Sequence, residues 1–160
     1  LKRHIINKGI KTVIRLVGTE DDNREGFEEE EAAIKETDAT LVVAALPTSR
    51  LPWRSEMSRL FQALDSAERP IFVHCKQGSD RSGLVSAIWL HDYEGRSLDK
   101  AREQLGMRFG HIPGGGARAM DEFLDLYETY SRQNPGVSIK EWTRREYFEE
   151  KPGREIAWYE

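Results

Sequence analysis

The sequence contains a single cysteine, Cys75, in 160 residues. This scarcity excludes an intrachain disulfide and any zinc site that needs several cysteine ligands. No apolar run approaches the roughly 20 residues that a membrane-spanning helix requires, and no signal peptide is visible. The net charge is −4 and no basic run is longer than Arg144-Arg145, so we expect no nucleic-acid partner.

The length and composition indicate one globular domain. A chain of 160 residues can bury a substantial core but is short for two domains. Hydrophobic residues make up 38% and charged residues 32%, which is typical of a globular protein in water. We expect a single domain over 1–160, with a core over about 9–130 and a helical C-terminal extension over 135–160. We expect it in the cytoplasm; the sequence leaves open a periplasmic location and a membrane anchor before Leu1.

Three short apolar segments, separated by helical patterns, have the composition of buried β-strands. The predicted strands are Thr12–Val17, Thr40–Leu46 and Pro70–His74. The predicted helices are Leu1–Lys8, Glu25–Thr37, a segment that Ser55 caps, Ser82–Tyr93, a short segment that Ser97 caps, Ala117–Arg132 and Ile139–Phe148. Such alternation, with strands that are apolar almost throughout, indicates a parallel sheet. We therefore predict an α/β fold of three layers, with a central, mostly parallel sheet flanked by helices.

The segment Pro70–Gly83, PIFVHCKQGSDRSG, places the cysteine where a strand leads through a tight loop into a helix. Backbone N–H groups and the positive end of the helix dipole converge at such a loop and bind anions. A thiol at the loop entrance, Cys75, ionises more easily there. Arg81 at the loop exit offers a planar fork of donors that fits two phosphoryl oxygens. A thiolate that faces a bound phosphate is the apparatus of a cysteine-based phosphatase.

The pattern His-Cys-x5-Arg-Ser, from His74 to Ser82, resembles the active-site loop of the protein tyrosine and dual-specificity phosphatase superfamily. The wider sequence, from GIKTVIRL through PIFVHCKQGSDRSGL to RFGH, is similar to the small bacterial dual-specificity-type phosphatases. The similarity covers about Gly9 to Tyr130. It implies a two-step hydrolysis without a metal or cofactor, in which the Cys75 thiolate attacks phosphorus and water then cleaves the phosphocysteine.

The resemblance also implies a role for each residue of this loop. Arg81 and the loop amides would hold the phosphoryl oxygens and stabilise the transition state. Ser82 would hydrogen-bond the Cys75 sulfur and ease its departure. The implied substrate-binding set is Lys76, Gln77, Gly78, Ser79, Asp80 and Arg81. His74 would support the loop and the low pKa of the thiol without touching substrate; a buried histidine satisfied by the backbone is an equal alternative.

The general acid is the least defined element of the predicted site. Many relatives carry an aspartate on the loop after the second strand, but here that loop reads PTSRLPWR and has no carboxylate. Some branches of the superfamily use an aspartate at the position of Asp80, so we predict that Asp80 donates a proton and later accepts one. The alternative acids are Glu56, Asp21 and Asp22. The non-catalytic reading is that Asp80 bonds a loop amide or Arg81.

The substrate is open at this stage: a phosphorylated protein, a small phosphomonoester and a phospholipid all fit. Lys76 adds positive charge, as in relatives that act on phosphoinositides, whereas Ser79 stands where those relatives often carry a second lysine. Candidate pocket walls are Arg50, Trp53, Arg54, His111 and the three glycines at 114–116. The plainer alternatives are a loop anchor for the tryptophan and a flexible loop around the histidine.

Three other readings bear on function. His4 and His91 have no partner that the sequence reveals, so we expect no metal site. A module that binds phosphate without turnover would not need the nucleophile and the acid, which are both present. A sulfurtransferase or redox enzyme usually lacks the arginine at this spacing or needs a second cysteine, which the chain does not have.

Overall fold

The computed structural model of the protein describes residues 1–19 and 24–147. Within these residues, the centre of the fold is a parallel sheet with the strand order β2-β1-β3. The strands are β1 (Thr12–Arg15), β2 (Thr40–Val43) and β3 (Ile71–His74). Thr12 lies opposite both Thr40 and Ile71 in the register, so all three strands end at the same edge.

In the part of the chain that the structure describes, one helix precedes β1 and helices follow each of the three strands. They are α1 (Lys2–Lys8), α2 (Arg24–Lys35), α3 (Arg54–Ser66), α4 (Asp80–Ile88), α5 (Leu98–Arg102), α6 (Ala119–Gln133) and α7 (Ile139–Arg145). A π-helical turn, Trp89–Tyr93, extends α4, and a 3-10 turn, Met107–Phe109, precedes α6. None of the described helices is both long and apolar enough to cross a membrane.

The helices pack on both faces of the sheet. Successive side chains of a strand point to opposite faces, and in β1 Ile14 and Val13 enter two different apolar clusters. Val13 packs with residues of α1 and α2, among them Ile5 and Ile34. Ile14 joins the larger cluster, to which α3, α4, α6 and α7 contribute. Two helical layers around a parallel sheet confirm the predicted α/β fold.

Several predicted elements differ from the structure in detail. Only β1 is buried throughout, because β2 and β3 form the edges of the sheet; Val43 in β2 is 37% exposed. Ser55 does not cap α3, since the chain turns from extended to helical backbone at Trp53. The Glu56 carboxylate instead accepts a hydrogen bond of 2.6 Å from the Trp53 N–H. The predicted cap at Ser97 is confirmed, because its hydroxyl accepts a bond from the Lys100 N–H.

The last helix of the described residues, α7, packs against the same core as α3 and α6. Trp142 and Tyr147 are buried, and their rings lie 5.4 and 5.2 Å from the ring of Phe123. The helix predicted over Ile139–Phe148 ends at Arg145, and Phe148 lies outside the described residues. The expected domain bounds stay a prediction.

Candidate active site

The segment from 75 to 79 joins the carboxyl end of β3 to the first turn of α4 and borders a cavity of about 440 Å³. From this loop and the helix turn, the cavity is lined by Cys75, Lys76, Gln77, Ser79, Asp80 and Arg81. The opposite wall comes from the segment before α6 and from Thr48, after β2. Open α/β sheets bind ligands at this edge.

Cys75 lines this cavity and is half-buried. Its Sγ is 3.5 Å from the Oγ of Ser82. Burial by itself raises the pKa of Cys75, but the hydroxyl and backbone N–H of Ser82 oppose this effect. The backbone N–H groups of Gln77 and Gly78 act in the same direction, so the pKa falls from 9.0 to about 7. The loop therefore stabilises negative charge at the position of the sulfur.

Arg81 is held by the ends of the two other strands. Its Nη1 donates to the carbonyl oxygens of Leu16 at 3.3 Å and Leu46 at 3.4 Å, which follow β1 and β2. Its Nε is buried and has no hydrogen-bond partner among the described residues. The guanidinium is thus fixed at the cavity with donors that remain available to an oxyanion.

Asp80 and His111 form a contact that the sequence did not reveal. His111 is fully buried, and its Nδ1 lies 2.8 Å from the Oδ1 of Asp80. Its Nε2 lies 3.0 Å from the Oδ2 of Asp121 in α6. Burial lowers the pKa of His111, but the hydrogen bonds to the two carboxylates outweigh this and raise it above its ordinary value. The flexible-loop reading of His111 is wrong, because its ring links the phosphate loop to α6.

His74 points away from the cavity and contacts a buried acid. Its Nε2 is 2.5 Å from the Oε1 of Glu30 in α2, and its Nδ1 is 3.3 Å from the carbonyl oxygen of Cys75. The other carboxylate oxygen of Glu30 pairs with buried Arg15. A signal for Glu30 existed, because it shares the i, i+3, i+7 stripe of α2 with Phe27 and Ile34, where an acid needs a partner.

Three residues of the loop after β2, Arg50, Trp53 and Arg54, do not line the cavity as the sequence suggested. Arg50 pairs with Glu56 at 2.8 Å and its guanidinium lies 4.9 Å from the centre of the Trp53 ring. Arg54 donates to the carbonyl oxygen of Tyr147. These side chains anchor the loop instead, and Glu56 lies outside the cavity lining. Asp21 and Asp22, the other alternative acids, lie outside the described residues.

The remaining histidines have structural partners. His91 contacts the carbonyl oxygen of Arg96 and the hydroxyl of Tyr127, each at 2.8 Å, partners that the sequence did not reveal. The ring of His4 packs against Phe72. Within residues 1–19 and 24–147, no group of three or more His, Cys, Asp or Glu side chains is arranged to hold a metal ion.

A second cavity of about 480 Å³ lies beside the free edge of β3. Its lining is mostly apolar, and its one arginine, Arg69, has its guanidinium 5.0 Å from the centre of the Trp89 ring. It lacks the thiol and the converging N–H groups of the first cavity. The chemistry expected from the sequence therefore belongs to the smaller cavity at the phosphate loop.

Solved structures with a similar fold come from bacteria and from mouse. TpbA of P. aeruginosa is 22% identical with a TM-score of 0.59, over 78% of this chain and 71% of that chain. A putative phosphatase (DUF442) of Shewanella putrefaciens CN-32 is 13% identical with a TM-score of 0.57, over 79% of this chain and 82% of that chain. A mouse putative dual specificity phosphatase is 18% identical with a TM-score of 0.54, over 85% of this chain and 82% of that chain. These similarities support the fold.

The family comparison is more specific than these structural similarities. No curated protein matches the chain in sequence. The family model of the DSP-PTPase phosphatase fused to NAD+ kinase (PTP-NADK) matches residues 2–123. That range contains every strand of the described sheet, the loop with Cys75 and Arg81, and both carboxylates that contact His111. The chain thus belongs to the DSP-PTPase phosphatase family.

Proposed function

We propose that the protein is a metal-independent phosphomonoester hydrolase that acts through a phosphocysteine intermediate, as a protein tyrosine or dual-specificity phosphatase. The observation that carries this proposal is the Cys75 thiol, whose pKa backbone N–H groups and Ser82 lower to about 7, in a cavity that Arg81 also lines. A thiolate is a stronger nucleophile than a thiol. The same hydrogen-bond donors that stabilise the thiolate bind the oxygens of a phosphate dianion.

In the first proposed step, the Cys75 thiolate attacks phosphorus and the bond from phosphorus to the leaving oxygen breaks. Asp80 gives a proton to that oxygen. Arg81 and the loop N–H groups stabilise the charge on the three phosphoryl oxygens. The products are a phosphocysteine and the free alcohol or phenol.

In the second step, water attacks phosphorus and the bond to sulfur breaks. Asp80, now ionised, takes the proton from the water. The Ser82 hydroxyl, 3.5 Å from the sulfur, donates a hydrogen bond to the departing thiolate. Inorganic phosphate leaves and the enzyme returns to its starting state.

A phosphorylated tyrosine is the substrate that we favour. The structure of a Cys-to-Ser variant of TpbA, which is similar in fold, was solved in complex with phosphotyrosine. In the present protein, Ile112 lines the cavity and is 71% exposed, so it offers an apolar surface to an aromatic ring above the phosphate. Lys76, which is exposed at the rim, would accept the additional phosphates of a phosphoinositide, the alternative substrate class.

The test is release of inorganic phosphate from a substrate panel. The panel contains phosphotyrosine and phosphoserine peptides, phosphoinositides in vesicles, para-nitrophenyl phosphate and NADP+. NADP+ is included because its 2′-phosphate is a monoester and because the family description names an NAD+ kinase, which forms it. The wild-type protein is compared with Cys75→Ser and with Ser58→Ala, an exposed control on α3.

We expect turnover by the wild type and Ser58→Ala but not by Cys75→Ser, and a phosphate adduct on Cys75 after rapid acid quench. Preference for phosphoinositides or NADP+ over the phosphotyrosine peptide would overturn the proposed substrate. Phosphate binding without turnover of any panel member would overturn the proposed activity in favour of a recognition module. Transfer of sulfane sulfur to cyanide would favour a sulfurtransferase.

A further inference from the structure

The chain of contacts from Asp80 through His111 to Asp121 connects the cavity to α6. Both ring nitrogens of His111 face carboxylate oxygens, at 2.8 Å and 3.0 Å. Only the doubly protonated ring can donate a hydrogen bond to each of them. The ring is fully buried, and an unpaired polar ring would be costly there. Each of its two N–H groups therefore has a defined acceptor.

Further contacts hold the backbone of His111 and the carboxylate of Asp121 in place. Asp121 accepts a second bond from the Gly114 N–H at 3.2 Å, which holds its carboxylate toward the histidine. The backbone N–H of His111 donates to the carbonyl oxygen of Gly106. Gly110, in the left-handed region at φ +81°, brings the segment against the phosphate loop: a Cβ at Gly110 would lie 3.5 Å from the Cβ of Ser79.

The two carboxylates differ in what else they do. Asp121 lies outside the lining of the cavity, whereas Asp80 lines it. Among the described residues, the side-chain hydrogen bonds of Asp80 all run through Oδ1 to His111. The second oxygen of Asp80 is therefore left to a group inside the cavity. His111 therefore contacts one carboxylate that lines the cavity and one that does not.

We propose that His111 is a positioning residue for Asp80: its Nδ1–H donates to Oδ1 of Asp80, so that Oδ2, which carries the proton in the first step, is presented to the leaving group and, once ionised, to water. Asp121 holds the ring in its orientation. This inference rests on the proposed function, because it gives Asp80 its proton-transfer role. The arrangement follows the general logic in which a group that transfers a proton is oriented by a third group behind it.

Two variants separate the two bonds of the ring. The side-chain nitrogen of asparagine lies near the position of Nδ1 and that of glutamine near the position of Nε2. His111→Asn can therefore keep the donor to Asp80, and His111→Gln can keep the donor to Asp121. We expect kcat of His111→Gln on a phosphotyrosine peptide to fall about 100-fold, the scale of a misplaced catalytic group. We expect His111→Asn to lose less than about 10-fold, with KM unchanged in both.

Two further readouts distinguish positioning from loss of structure. The defect of His111→Gln should shrink for an aryl phosphate with an acidic leaving group, which needs less protonation. When His111→Gln is combined with Asp80→Asn, kcat should fall little further than in Asp80→Asn alone, because both substitutions act on the same step. Thermal unfolding of both variants reports whether the fold survives. If neither folds, Asp121→Asn, which keeps the shape of the side chain, should give the same leaving-group dependence.

The outcomes distinguish this inference from the proposed function. Equal kcat losses in the two histidine variants, or losses that do not depend on the leaving group, would overturn the role of His111 while wild-type turnover stands. A wild type without turnover, or turnover by Cys75→Ser, would instead overturn the proposed function itself.

Discussion

His74 Nε2 lies 2.5 Å from Glu30 Oε1, and through this contact β3, the strand that leads into Cys75, is tied to helix α2. Glu30 also pairs with Arg15 of the central strand, and the Glu30 and Arg15 side chains are only 7% and 8% exposed. One buried carboxylate thus balances a buried arginine and fixes the histidine beside Cys75. Removing it leaves a buried guanidinium without its counter-charge.

Glu30→Gln should therefore lower the free energy of unfolding by about 3–5 kcal/mol, the usual cost of breaking a buried ion pair from one side. Denaturant titration followed by circular dichroism measures the change. The neighbouring Glu31→Gln is the matched control: Glu31 forms an exposed pair with Lys35, so we expect a change below about 0.5 kcal/mol. Similar losses in the two variants would contradict the role of Glu30.

The pKa of about 7 at Cys75 predicts the pH dependence of its alkylation. Because only the thiolate reacts, the rate of reaction with iodoacetamide should rise with pH, reach half its plateau near pH 7 and then level off. Ser82→Ala removes hydrogen bonding that lowers the pKa, so its midpoint should move to higher pH. Mass spectrometry reports the adduct at one site, because the chain has no other cysteine.

The control for this titration is the same chain in concentrated urea, where the midpoint should approach the ordinary thiol value of 9.0. A folded protein whose midpoint equals that of the unfolded chain would refute the stabilised thiolate. A midpoint in Ser82→Ala below that of the wild type would show that another group sets the pKa.

The proton-transfer role of Asp80 predicts a dependence on the leaving group. Asp80→Asn should reduce kcat by about 10²–10⁴-fold on a phosphotyrosine peptide, the range expected for loss of a general acid. The loss should be smaller for an aryl phosphate whose phenol is already acidic. Steady-state kinetics with a series of substituted phenyl phosphates measures the slope. Equal losses across the series would mean that Asp80 is not the acid.

Glu56→Gln provides the contrast to Asp80→Asn. Because Glu56 caps α3 through the Trp53 N–H and pairs with Arg50, its loss should lower stability by about 1 kcal/mol. It should leave the leaving-group slope of the wild type unchanged. A changed slope would return Glu56 to the candidate acids.

Gly83 shows how closely the helix behind the phosphate loop is packed. A Cβ at this position would lie 2.8 Å from the carbonyl oxygen of Gln104, so Gly83→Ala should cost about 1–3 kcal/mol of stability. Gly26→Ala is the matched control, since nothing lies within 4 Å of a Cβ there. Because Gly26 lies at an exposed position of helix α2, Gly26→Ala should instead add about 0.5–1 kcal/mol. Thermal unfolding of both variants would reveal the opposite signs, and two shifts of the same sign would contradict the tight contact.

Local pattern was sufficient for the elements whose identity depends on neighbours in the chain. The phosphate loop is contiguous, so its strand, loop and helix could be read from Pro70–Gly83. The apolar positions of α3, Met57, Leu60, Phe61 and Leu64, are all buried, as their helical spacing indicates. Which strands form the edges of the sheet was harder to predict, because the order of the strands is a property of the whole sheet.

The contacts that support the loop could not be found in the same way. Periodicity shows which face of a helix is buried, but it does not show which side chain it meets. Arg50, Trp53 and Arg54 were therefore placed at the cavity although they pack against α3 and the chain near Tyr147. Asp80 and His111 are 31 positions apart, and His74 and Glu30 are 44 apart.

The amino-acid sequence was sufficient to predict the parallel α/β architecture and the position of one thiol and one arginine at a single anion-binding loop. These features follow from strand composition and from short-range spacing, both of which are local. The tertiary structure alone decided that His111 joins Asp80 to Asp121 and that Glu30 joins His74 to Arg15. Buried polar groups must find partners wherever folding brings an acceptor within hydrogen-bond distance, and that proximity exists only in three dimensions.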